Sequence, residues 1–404
     1  MKIRSITLFA DLAGSLDEDQ IDHLGSSAKR AAAAYADAGY EVQTIRLATS
    51  LLTSHNKPPD PVAAAIAVEA QCRRAGFEFV SLGPASPRNL SYLPEILRAT
   101  QNLFATCHVV EPGSQTIDGA NILKAADVIR EASKIDDGFG NLRFAALANV
   151  APGIPFFPAA YSAGTGGSPA FAIATQSADL AVAATTESAT AAEASARLRN
   201  LVHEHAQRME ATAREIAGAH QLRFLGTDFS LAPFPGSRDS IGGALEALTG
   251  RPLGAPGTLA AAALLTSAIQ EAVFQHAGFC GMMLPVLEDS ILAQRAAEGY
   301  LRIPELLQWS AVCGTGLDTV PIPGDASREA LAGLLYDVAA LAVRLDKPLT
   351  ARLMPLPGKA AGDPVHFDFA YFADGGVLPL GEGAANALTA TRDLALSRYR
   401  SSQE

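Results

Sequence analysis

Aromatic residues make up only 6% of this chain of 404 residues, and charged residues only 18%. The apolar share, 49%, is carried mainly by Ala, Leu, Val and Ile. Small aliphatic side chains let helices lie close to a sheet, so an α/β fold with a large core is expected and a disordered chain is excluded. No run of about 18 apolar residues is present, which argues against a membrane-spanning helix. Lys and Arg form no cluster and the net charge is −11, so no nucleic-acid partner is expected. Cysteine is limited to Cys72, Cys107, Cys280 and Cys313, with no CxxC pair. The opening stretch MKIRSITLFADLAG lacks a secretory apolar core and cleavage site. A cytoplasmic chain with free thiols is therefore expected.

Several motifs are also missing. No GxGxxG opens a helix after the first strand, and no HExxH, zinc-ribbon spacing or GxSxG elbow occurs. Neither NAD nor flavin is expected. The glycine cluster AGTGGSP (163–169) lacks the Lys-Ser/Thr of a phosphate loop and reads as a crossover before a strand.

Short apolar or β-branched runs alternate with Ala-rich stretches. Strands are expected at 3–8, 41–47, 77–82, 103–110, 143–150, 171–175, 222–231, 279–286, 317–322 and 349–355. Their near-continuous apolar character suits parallel strands covered on both faces. Ten strands fit a ten-stranded barrel or two five-stranded sheets better than an eight-fold barrel. Residues 189–219 read as one long helix and 257–273 as a buried one. Asp60-Pro61 and Ser327 with Glu329 read as helix starts, and Asp239 as a cap.

Chemistry in α/β proteins collects where strands run out into loops. FATCHVVEP places Cys107, His108 and Glu111 at such an end, although adjacent strand residues face opposite ways. Asp228 and Ser230 share a strand face, and an inward carboxylate must be paired, protonated or metal-bound. Glu288 and Asp289 close another strand; Asp289 suits a helix start, Glu288 a base or hard-metal ligand. In AVCGTGLDTVPIPGD, Gly314 and Gly316 flank Thr315 in a tight turn with close backbone approach. Cys313 before the turn reads either as a reactive thiol on its tip or as a buried inert one, and Asp318 follows it. Arg46, Arg143 and Arg352 fall within expected strands, where each needs an anion: a substrate carboxylate or an internal acidic side chain. His366 and Asp368 share an expected strand face, whereas His203 and His205 point to different sides of a helix.

The segments RFAALANVAPGIPFFPAAYS, DFSLAPFPGSRDSIGGALEAL, GFCGMMLPVLEDS and AVCGTGLDTVPIPGD, followed by LTARLMPLPGKAAGDPVHFD, resemble a known family. It is the family called domain of unknown function seven-one-one, or uncharacterised protein family zero-two-one-zero. The resemblance implies one domain over 1–404: a ten-stranded β/α barrel like that of pyruvate formate-lyase, made of two five-stranded parallel halves. The halves would be about 1–150 and 170–356, with a C-terminal segment 357–404. Enzymes of that fold carry a cysteine on a central loop, and the turn after Cys313 makes that loop its place here by analogy. The C-terminal glycyl-radical segment of such enzymes is missing, so no glycyl radical is expected.

Two functions are weighed. The first is a lyase or hydrolase acting on a small carboxylate-bearing metabolite. Cys313, Asp228, Glu288, Asp318 and His108 would be its catalytic groups. Arg46, Arg352, Ser230, Asn149, Gly314, Thr315 and Gly316 would contact the substrate. Asp228 and Glu288 would hold any divalent Mg, Mn or Ca. The second is a non-catalytic small-molecule sensor; the resemblance suggests an ACT-domain partner. A homodimer is expected by fold analogy. A third, weaker reading is a structural barrel whose polar strand-end groups pair with one another.

Overall fold

The computed structural model describes residues 1–12, 18–53, 59–164, 167–383 and 387–399. The fold is mixed α/β with a large, mostly parallel nine-stranded sheet. Its strands are β1 (Lys2–Phe9), β2 (Ile45–Ala48), β3 (Phe79–Pro84), β4 (Leu103–Val110), β5 (Phe144–Ala148), β6 (Ala170–Gln176), β7 (Arg223–Asp228), β8 (Gly316–Pro323) and β9 (Leu349–Leu356). Every residue of β2, β4, β5, β6 and β9 is buried, as expected of strands covered on both faces. Among the described residues, no helix is long and apolar enough to cross a membrane.

The chain divides into two compact units. The first unit comprises Met1–Thr106, Pro152–Ala232 and Leu264–Gly281. Its strands lie in the order β7-β6-β1-β2-β3-β4. The run from β1 to β4 is parallel, β6 and β7 are parallel, and β6 meets β1 antiparallel. Its long helix, Ala191–His220, begins in a capping box in which the side chains of Thr190 and Glu193 bond each other's backbone N–H. The buried stripe Ala194, Leu198, Val202, Ala206, Met209, Ala213 and Ile216 repeats at three and four, the period of a helix with one face on a core. Asp60 caps the helix Pro61–Ala75, its carboxylate accepting from Val62 N and Ala63 N.

The second unit comprises Cys107–Ala151, Pro233–Ala263 and Met282–Glu404. Its strands lie in the order β4-β5-β9-β8, with β9 antiparallel to β5 and parallel to β8. Ser327 caps the helix Arg328–Leu345.

Nine of the expected strands are found within a few residues, and the tenth is not. Segment 279–286 carries only isolated bridges, among them the parallel one of Pro285 to Asp318 in the second unit; in the first unit His276, just before it, bridges to Thr227. Cys280 explains the break locally, because its φ of 42° is left-handed and cannot continue a strand. Asp239 lies in the short turn Ser237–Asp239; Ser240 instead caps the helix Ile241–Thr249, its hydroxyl accepting from Gly243 N at 2.9 Å. Arg143 ends the turn segment before β5. His366 and Asp368 lie outside any strand, and exposed His366 meets Asp374 at 2.6 Å. In AGTGGSP, residues 165 and 166 lie outside the described ones.

Candidate functional site

In the second unit, β9 brings Arg352 into an apolar interior, and the chain answers with two acids. Arg352 Nε donates to Asp318 Oδ1 at 2.6 Å, and Nη2 donates to Glu288 Oε1 at 2.9 Å. Nη1 donates to the Leu142 carbonyl at 3.3 Å. The β8–β9 register shifts between Ala351 and Leu353, opposite Asp318 and Thr319. Such a bulge re-aims a side chain, here Asp318 toward Arg352. The bulge is strained: Thr319, β-branched, sits at a φ of 41°. The side chains of Arg352 and Glu288 are 7% and 8% exposed, whereas that of Asp318 retains 15%, so Asp318 is the group that solvent reaches. Burial pushes the Asp318 carboxyl above its usual range; Arg352 pulls it back and Glu288 pushes it further up. Beside the cluster, Leu287, Met354, Leu356 and Phe372 form an apolar core with Phe139 and Leu142 packed on it.

In the first unit, Asp228 is buried at the end of β7 and is held by neutral donors. Its Oδ2 accepts from Phe279 N at 2.7 Å. Its Oδ1 accepts from Cys280 N at 3.0 Å, Ser230 N at 2.9 Å and the Ser230 hydroxyl at 2.5 Å. The carboxylate thus pins the 278–281 turn. A Cβ at Gly278 would stand 2.0 Å from Asp228 Oδ2, so that position requires glycine. Burial raises Asp228 to about 6, against the pull of these donors. Gly278, Cys280 and Thr319 were not singled out from the sequence. Gly278 and Cys280 border an apolar run like any turn, and nothing local marks Thr319.

Cys313 is buried, not exposed on a tip: its N–H donates to Trp309 O, and its carbonyl accepts from Lys347 Nζ. The turn after it does approach backbone closely, since Thr350 N donates to Thr315 O at 2.6 Å and a Cβ on Gly316 would meet Thr350 O at 2.5 Å. Gly314 N donates to Met282 O. His108 is buried, and burial holds its imidazole down at about 4, so it is neutral near pH 7. Its Nε2 lies 3.9 Å from Glu111. Cys107 is buried beside it. Asn149, at a φ of 58°, accepts from Gly113 N and donates to Asp346, a tie between loops. Arg46 stacks between the rings of Phe79 and Phe157, at 5.4 and 5.2 Å, and its Nε donates to Thr44. Asp289 is a helix cap, accepting from Ile291 N, Leu292 N, Gly242 N and the Ser240 hydroxyl.

A hard divalent cation fits these carboxylates poorly. Both oxygens of Asp228 face N–H and O–H donors, and Glu288 and Asp318 face a guanidinium. Among the described residues, no group of three His, Cys, Asp or Glu is gathered for a metal.

Over residues 1–371 the sequence matches the family described as Uncharacterised ACR (DUF711). The chain belongs to the DUF711 family. A UPF0210 protein of Pyrobaculum aerophilum is 32% identical over 349 residues, which is 80% of this chain and 76% of the relative. One from Methanopyrus kandleri is 32% identical over 286 residues, 68% of this chain and 62% of its own. One from Desulforudis audaxviator is 40% identical over 162 residues, 39% and 36% of the two chains. Both carboxylate clusters fall inside the DUF711 match, and the segment after residue 371 falls outside it.

Proposed function

We propose that this DUF711 protein is an enzyme of lyase or hydrolase type acting on a small carboxylate-bearing metabolite, with Asp318 as its proton carrier. The observation that carries the reading is the strained bulge that turns a partly solvent-reached carboxyl onto a buried arginine. Bulges and left-handed β-branched residues cost free energy and concentrate at functional sites. A carboxyl raised by burial exchanges its proton closer to neutral pH than an ordinary one. When Asp318 is protonated its hold on Arg352 Nε weakens, and a substrate carboxylate can take that edge of the guanidinium. Asp318 then gives its proton to the bound substrate. Glu288 keeps Arg352 in place during the exchange.

The test is a panel of small carboxylic acids in deuterated buffer, followed by proton NMR. Turnover or exchange of a carbon-bound hydrogen is expected, with a loss of at least a hundredfold in Asp318→Asn. No turnover of any acid by the wild-type chain, or full rate in Asp318→Asn, would sink the reading.

A ligand sensor working with an ACT-type partner is the second reading. It is favoured by the saturation of Arg352, whose three nitrogens are all engaged within the chain itself. Binding of an acid without turnover, together with copurification of a partner, would select it. The ten-stranded barrel, the cytoplasmic site and a homodimer belong to the same proposal. The isolated parallel bridge of Pro285 to Asp318 supports strand pairing in the later part of segment 279–286.

A further inference from the structure

A cavity of about 170 Å³ opens in the first unit where β1 ends and β6 and β7 begin. In α/β proteins the carboxyl ends of strands are where ligands collect. Its floor is apolar: Phe9 and Ala170 belong to one buried cluster, and partly buried Leu225 packs against it. The walls include Tyr161 and Gly153. Two side chains of opposite charge line it, Asp11 and Arg223.

Asp11 is fixed in place, because the Ser50 hydroxyl donates to its Oδ1 at 2.6 Å. The described bond of Arg223 runs from Nε to the Ser168 carbonyl at 3.4 Å, a long contact. Its two terminal nitrogens have no partner among the described residues. They form the edge that binds a carboxylate in two parallel bonds. A fixed carboxylate suits an ammonium group. A cavity of roughly 150 Å³ holds a molecule the size of benzene.

We propose that this cavity is a binding site for a small zwitterion, a molecule of about that size carrying both an ammonium and a carboxylate. The ammonium meets Asp11, the carboxylate meets Arg223, and the apolar remainder rests on Phe9 and Leu225. This site shares no residue with the Arg352 cluster, so it stands or falls separately from the acid–base reading.

The probe is the set of twenty protein L-amino acids, each offered to the full chain in saturation-transfer NMR and a thermal-shift series. A native-state ligand raises the unfolding temperature as its concentration rises. At least one small amino acid is expected to bind, and Arg223→Met and Asp11→Asn are each expected to weaken it at least tenfold. Arg223 is exposed, so its replacement leaves folding intact. For the amino acid that binds, the matching amine without carboxylate and the matching acid without amine are each expected to bind at least tenfold more weakly. The proposal is overturned if none of the twenty binds, if both variants bind as wild type does, or if either single-charge analogue binds equally well.

Discussion

Asp228 in the first unit and Asp318 in the second are both largely removed from water, yet they are satisfied by different means. Asp228 has four bonds from neutral donors, three of them backbone N–H groups. Asp318 shares a guanidinium with a second acid. Neutral donors fix geometry, and here the product is a pinned turn around Gly278 and Cys280. A shared guanidinium fixes charge instead, and its partners answer to one another's protonation. The first arrangement therefore reads as architecture. The second couples a proton to a cation beside residual solvent access, which is what chemistry requires.

Removing the cation should have the largest effect. Arg352→Leu leaves Glu288 and Asp318 buried without countercharge, and a loss of about 3–5 kcal/mol near pH 7 is expected in urea unfolding. The loss should shrink at pH 5, as Asp318, pushed up by burial and no longer pulled back by the guanidinium, takes up its proton. An equal loss at both pH values would mean that the cluster is ordinary packing. On the other side of the comparison, Asp228 carries a pH signature. Its folded value is about 6, above the usual unfolded value of ~3.9. The stability it contributes is complete below that unfolded value and is lost as pH rises through about 6. The margin of wild type over Asp228→Asn should therefore narrow by about 2 kcal/mol between pH 4 and pH 7. A margin that stays level over that range would show that the four donors hold the carboxyl at its ordinary value.

How far each cluster was legible follows from how local it is. The strands β4 and β9 stand where their apolar runs end, because a run buried on both faces has no competing helix period. The helix caps at Asp60 and Ser327 were equally readable, since a cap acts within three residues. Segment 279–286 is as apolar as a strand but turns at Cys280, and no side-chain pattern records a backbone angle. Glu288, Asp318 and Arg352 each stood out as charged groups in apolar strands or at their ends. Their union did not, because the partners lie 34 and 64 residues from Arg352. Cys313 shows the opposite limit: flanking glycines signal a turn, yet they do not say whether the turn faces water.

The comparison sharpens most at Thr319, where the smallest effect is expected. A left-handed conformation costs an ordinary L-residue roughly 1–2 kcal/mol, and glycine adopts it freely. Thr319→Gly should therefore stabilise the chain by about 1 kcal/mol in urea unfolding, after the greater chain entropy of glycine is offset. Among the described residues its hydroxyl accepts a single long bond, 3.4 Å from Leu287 N, so little is lost with it. Thr319→Ala keeps the strain and should not stabilise. If strain at the bulge serves to hold Asp318 on Arg352, the glycine variant gains stability while a double-mutant cycle between Asp318→Asn and Arg352→Leu gives a smaller coupling than in wild type. A glycine variant no more stable than the alanine variant would remove strain from the explanation, and with it the argument that this bulge, unlike the turn around Asp228, is held for function.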